Sequence, residues 1–153
     1  MIIYRLAIEP YKDDLSGTGS KIYGGRWNLP GSAAIYTAEH ISLAVLEVLV
    51  NTDKNNIPPA YYLLKLNVPD SLPVKVIAAS GLKAKWYNDL EYAQFIGNNF
   101  LQSGKEGVLK VPSAIIKEEY NFLLNPAHPE FKKISIKESV PFDFDIRLLK
   151  TNE

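Results

Sequence analysis

The chain has 153 residues, a length that suits one domain with an ordinary buried core. Its 17 basic residues balance 17 acidic ones, and no run of Lys or Arg forms the basic face that nucleic-acid binders carry, so DNA and RNA are unfavoured as direct ligands. The absence of cysteine excludes disulfides, thiolate metal sites and a cysteine nucleophile. With no signal-like N-terminus and no apolar stretch of membrane-spanning length, the expectation is a soluble, cytoplasmic protein.

Residues 2–8 read as a β-branched and aromatic first strand, and 11–20 as a polar loop. Ile22-Tyr23, Gly24-Gly25 and Arg26-Trp27 have the layout of a tight hairpin, and Asn28-Leu29-Pro30-Gly31 that of a type II turn. Residues 33–36 follow as a short strand. Thr37 is placed to cap a helix over 38–50, whose apolar residues are so numerous that the helix should lie buried between layers. A polar loop is expected over 52–59, strands over 60–68 and 74–77, and a second helix over 86–101. Strands are then expected over 107–111, 120–124, 134–136 and 142–149. The expected fold is α+β, one compact domain over 1–153 with short mixed strands and two main helices.

Glu47 is the only charge between Glu39 and Asp53, inside the run Leu43-Ala44-Val45-Leu46-Glu47-Val48-Leu49-Val50. A carboxylate there needs a partner or loses several kcal/mol to desolvation. It is either half of a structural ion pair with Arg26 or Arg5, or an acid held in a dry pocket. Arg26 follows two glycines that let a ligand reach the backbone, and its guanidinium matches phosphate or carboxylate; an exposed hairpin arginine is the plainer reading. Tyr36 and Ser113 read on their own as a core tyrosine and a turn residue. His40 and His128 are too few for a zinc site, and no phosphate loop, dinucleotide fingerprint or nucleophile elbow occurs. These residues suit an anionic ligand with a developing cation nearby.

Four stretches together resemble the RES-domain family, the toxin half of bacterial toxin–antitoxin pairs. They are Leu15-Ser16-Gly17 through Tyr23-Gly24-Gly25-Arg26-Trp27-Asn28, Ile35-Tyr36-Thr37-Ala38-Glu39, Leu46-Glu47-Val48-Leu49, and Val111-Pro112-Ser113-Ala114 leading to Asn121-Phe122-Leu123-Leu124-Asn125-Pro126-Ala127-His128-Pro129. The family's arginine, glutamate and serine map to Arg26, Glu47 and Ser113. The resemblance implies a fold similar to ADP-ribosyltransferases and cleavage of the nicotinamide–ribose bond of NAD⁺, a substrate rather than a retained cofactor, without metal. It further implies a hetero-oligomer with an Xre-type helix-turn-helix antitoxin that blocks the active site. Arg26 would bind the pyrophosphate or adjoining ribose, and Tyr36 the nicotinamide end. Glu47 would stabilise the ribosyl cation, and Ser113 would orient Glu47 or a ribose hydroxyl. Tyr23, Gly25, Trp27, Asn28 and Asn125 would complete the substrate contacts. Transfer of ADP-ribose to a protein or nucleotide, and a catalytically silent binding module, are the competing readings. The segment 78–106 carries no usable signature.

Overall fold

The computed structural model describes residues 1–53, 55–56 and 60–150. Among the described residues the strands and α-helices are, in chain order, β1 (Ile2–Ile8), α1 (Thr18–Tyr23), β2 (Ile35–Ala38), α2 (Ile41–Asn51), β3 (Tyr61–Asn67), β4 (Val74–Val76), α3 (Leu90–Ser103), β5 (Val108–Pro112), β6 (Tyr120–Leu124) and β7 (Ser135–Phe142). The strands form one seven-stranded sheet in the order β4-β5-β6-β2-β1-β3-β7, antiparallel except for the parallel β4–β5 pair. This is the mixed α+β architecture that the sequence predicts.

The period-two alternation of the strands divides the core between the two faces of the sheet. Phe122 and Leu124 of β6 join Ile3, Ala7, Leu64 and Leu66 on one face, while Leu123 between them joins Ala93, Phe100 and Leu101 of α3 on the other. Val45 and Val48 of α2 pack beside Leu6, Tyr61 and Leu63.

One irregularity in the sheet positions the site. β1 pairs with β3 along all seven residues, from Ile2↔Asn67 to Ile8↔Tyr61, but with β2 only at Tyr4↔Ala38. Beyond that single pairing the two strands part, and Arg5 to Ile8 on one side and Ala34, Tyr36 and Thr37 on the other border a cavity.

Several expectations need correction. Ile22 and Tyr23 end α1 rather than one arm of a hairpin; Gly24, at φ 73°, terminates that helix, and only the bridge Gly25↔Asn28 keeps a hairpin-like turn. Thr37 does not cap α2. It belongs to β2, its hydroxyl donates to the Phe122 carbonyl, and the helix starts at Ile41 after His40. α2 is also not sandwiched: Leu43, Ala44 and Leu49 are buried, while Val50 is 60% exposed. The second helix is interrupted at Asp89, whose carboxylate accepts the Tyr92 N–H and caps α3 after a 3₁₀ turn over Trp86–Asn88. The strand expected over 134–136 runs instead from Ser135 to Phe142 as β7, and the strand expected over 142–149 does not form: Ile146–Leu149 is a 3₁₀ turn. Within the predicted 52–59 loop, residues 54 and 57–59 lie outside the described residues, as do 151–153. The Pro30-Gly31 turn is as expected, with Gly31 at φ 102° and Ser32 N–H donating to the Leu29 carbonyl at 3.3 Å.

Candidate active site

The cavity opened by the parting of β1 and β2 has a volume of about 980 Å³. α1 and the loop 24–27 wall one side and α2 the other. Tyr23, Gly25, Arg26, Trp27, Tyr36 and Glu47 all line it. Chain segments far apart in sequence thus converge on one volume, at the upper end of the range for small-molecule sites.

Glu47 projects from the half-buried flank of α2. Ser113, fully buried just beyond β5, donates its hydroxyl to Glu47 Oε1 at 3.3 Å. Burial raises the Glu47 carboxyl above its ordinary pKa, while hydrogen bonding from Ser113 and Asn121 and the charge of Arg26 pull the other way. Among the described residues no cation lies within ion-pair distance of Glu47, so the structural Arg–Glu pair weighed from sequence is not formed.

Arg26 is held by a neutral group: its Nη1 donates to the Tyr87 carbonyl at 3.1 Å. A carbonyl fixes the side chain without neutralising its charge, which leaves the guanidinium able to attract an anion. Arg5, weighed from sequence only as a partner for Glu47, is a second cation bordering the cavity. Burial lowers its pKa, opposed by the charge of Asp14, and no carboxylate among the described residues pairs with it at contact distance. Its position at the point where β1 leaves β2 gave no signal in the sequence.

Tyr36 organises the loop that carries Arg26. Its hydroxyl accepts the Trp27 N–H at 3.0 Å and donates to Asn28 Oδ1. Asn28, fully buried, donates its amide to the carbonyls of Ser20 and Ser32, both at 2.9 Å. Burial pushes the Tyr36 hydroxyl pKa up, so the group stays neutral and serves as donor and acceptor at once. The Gly25 requirement is steric: a Cβ there would lie 2.6 Å from the Tyr36 hydroxyl oxygen.

The expected substrate contacts do not all gather here. Tyr23 is 84% exposed at the mouth, Trp27 is buried against Trp86 at a 5.4 Å ring separation, and Asn28 acts through Tyr36. Asn125 does not line the cavity. Its amide donates to the Leu101 carbonyl and its Oδ1 accepts the Ala127 N–H, so it secures the turn after β6. Outside the cavity, Glu39 accepts the Tyr120 N–H and lies 3.4 Å from His40 at the start of α2.

The family description "RES domain" matches residues 2–145. A Sphingobium protein called "Prs ADP-ribosylating toxin" is 38% identical over 90% of this chain and 88% of its own length. "Toxin Res" of Photorhabdus laumondii is 35% identical over the whole of both chains. Among solved structures, a chain of the M. tuberculosis MbcT-MbcA toxin-antitoxin complex superposes with a TM-score of 0.76 at 23% identity, covering 92% of this chain and 83% of its own, a likeness of fold.

Proposed function

The chain belongs to the RES-domain family, and from that premise and the cavity chemistry we propose that it is the toxin of a toxin–antitoxin pair and cleaves the nicotinamide–ribose bond of NAD⁺. The observation that carries this reading is the placing of a carboxylate, Glu47, in one cavity with two cations, Arg5 and Arg26, none of the three forming an ion pair among the described residues. Two guanidiniums suit a pyrophosphate, and the Glu47 carboxylate suits a ribosyl cation; Asp14, the other carboxylate lining the cavity, acts on the charge of Arg5.

In this reaction the C1′–N1 bond breaks and its electron pair returns to the pyridinium nitrogen, which leaves as neutral nicotinamide. C1′ passes through an oxocarbenium-like state, whose positive charge the Glu47 carboxylate stabilises in a site of low dielectric. The oxygen of water or phosphate then bonds to C1′, and Glu47 accepts a proton when water is the nucleophile. Ser113 holds Oε1 in place, and Tyr36 holds the Arg26 loop.

The exposed rim of the cavity includes Tyr11, Ile22, Tyr23, Val50 and Leu90, apolar groups that suit coverage by a protein. An Xre-type antitoxin seated there would close the entrance. The same rim keeps a second reading in view, transfer of ADP-ribose to a protein, which the name of the Sphingobium relative also favours.

The test is nicotinamide release from NAD⁺ by the purified, antitoxin-free chain, followed by chromatography beside Glu47→Gln. Release by the wild type alone supports the reading. No release from the folded protein, with phosphate and without it, removes the cleavage reaction. Mass gain on a second protein would instead identify transfer.

A further inference from the structure

The stretch 78–106, silent in sequence, forms a wall behind the Arg26 loop. Gln94 Nε2 on α3 donates to the Gly25 carbonyl at 3.0 Å and lies 3.5 Å from the Asn28 carbonyl. One turn on, Asn98 Oδ1 accepts the Leu29 N–H at 3.3 Å. Between them Gly97 is buried, and a Cβ there would overlap the Trp27 carbonyl. Positions 94, 97 and 98 share one face of a helix. The 3₁₀ turn leading into α3 supplies the Tyr87 carbonyl that holds Arg26 Nη1.

We propose that this face of α3, with the Tyr87 carbonyl, is the device that positions Arg26 against the anionic part of the substrate, and that Gln94 is its main positioning residue. The proposal rests on the reading that Arg26 binds the pyrophosphate of NAD⁺. Glu47 is fixed from elsewhere, by α2 and Ser113. The cation and the carboxylate therefore belong to separately held units, and the α3 contacts set where the cation stands. Among the described residues the Gln94 side chain donates to main-chain carbonyls of the loop, so removing its donor changes the placement of Arg26 without changing any group that meets substrate.

The test is Gln94→Met, which keeps length and helix propensity but cannot donate. The expected result is a KM for NAD⁺ raised about tenfold, with kcat within about twofold and thermal stability near wild type. Amide hydrogen exchange should quicken at Trp27 and Leu29 but not on α2. An unchanged KM in a folded variant overturns the proposal, whatever the exchange shows. If the wild type releases no nicotinamide, the reaction itself fails, and inorganic pyrophosphate becomes the probe. Affinity about tenfold weaker in Gln94→Met then supports the positioning role, and equal or undetectable affinity in both proteins overturns it.

Discussion

Ser113 donates its hydroxyl to Glu47 Oε1, and the same Oγ accepts the backbone N–H groups of Ile115 and Ile116 at 3.0 and 3.2 Å. Its own N–H donates to the Glu119 carbonyl at 2.8 Å. The serine is fixed by its main-chain bonds, and through it the carboxylate.

The first prediction concerns pH. The reaction uses ionised Glu47, whose pKa burial lifts above the ordinary 4.5 and which Ser113 partly restores. Turnover should therefore fall on the acid side with an apparent pKa above that value. Ser113→Ala removes a bond that favours the charged form, so the acid limb should move to higher pH. A kcat–pH profile of the two proteins checks this, and coincident limbs would remove Ser113 from the control of Glu47.

Glu47→Gln should separate activity from stability. Folding raises the Glu47 pKa, so this group's contribution to stability is present below the unfolded-state value and is lost as pH rises through the folded value. At pH 7 the ionised side chain opposes folding, and its removal should leave stability equal to or above wild type, with the gap closing toward pH 4. Turnover should drop roughly 10²-fold, about 2.7 kcal/mol of transition-state stabilisation. A structural ion pair would behave oppositely, costing about 3–5 kcal/mol of stability on mutation. Denaturant melts at two pH values, run beside the nicotinamide assay, distinguish the cases.

What the sequence made legible was mostly local. A short aromatic and apolar run between Glu119 and Asn125 marks β6 at Tyr120–Leu124 to the residue, because both faces of that strand are packed. α1 was missed because Gly17-Thr18-Gly19-Ser20 has loop composition, and its six residues are held by tertiary contacts such as Ser20 Oγ with Ala34. The glycine pair reads from sequence as a gap that lets a ligand reach the backbone, whereas at Gly25 the Tyr36 hydroxyl occupies that space, 2.6 Å from where a Cβ would stand. Arg5 reads from sequence only as an ion-pair partner for Glu47, since its place at the cavity depends on where β1 leaves β2. Glu47 stood out because a single charge in an apolar run is unusual at the level of composition itself.

The Gly25–Tyr36 contact gives a third prediction. Tyr36→Phe leaves the Trp27 N–H and Asn28 Oδ1 without their partner, at about 1–3 kcal/mol. Gly25→Ala forces a methyl toward the hydroxyl, an overpacking cost of about 1–3 kcal/mol. In the double variant the oxygen that the methyl meets is gone, so the two costs should sum to more than the observed loss. Strict additivity in urea unfolding would show that Gly25 is constrained by something other than the Tyr36 hydroxyl, such as the ring carbon Cζ or Asn28 Oδ1, which a Cβ would meet at 2.9 and 3.0 Å.

The last prediction separates Arg5 as a ligand-binding cation from Arg5 as a structural one. Its charge is disfavoured by burial, and among the described residues no carboxylate lies close enough to form an ion pair with it. Arg5→Met retains much of the apolar stem and removes the guanidinium, so the folded state should lose little stability and can gain some. If the guanidinium binds the pyrophosphate, the KM for NAD⁺ should rise about tenfold or more. Arg5→Lys should recover only part of that loss, because an ammonium on a different stem cannot reproduce the planar fork. A stable Arg5→Met protein with wild-type KM would show that the phosphates sit elsewhere and leave Arg26 as the anion anchor. A marked loss of stability with unchanged KM would make Arg5 a structural residue of the β1–β2 split.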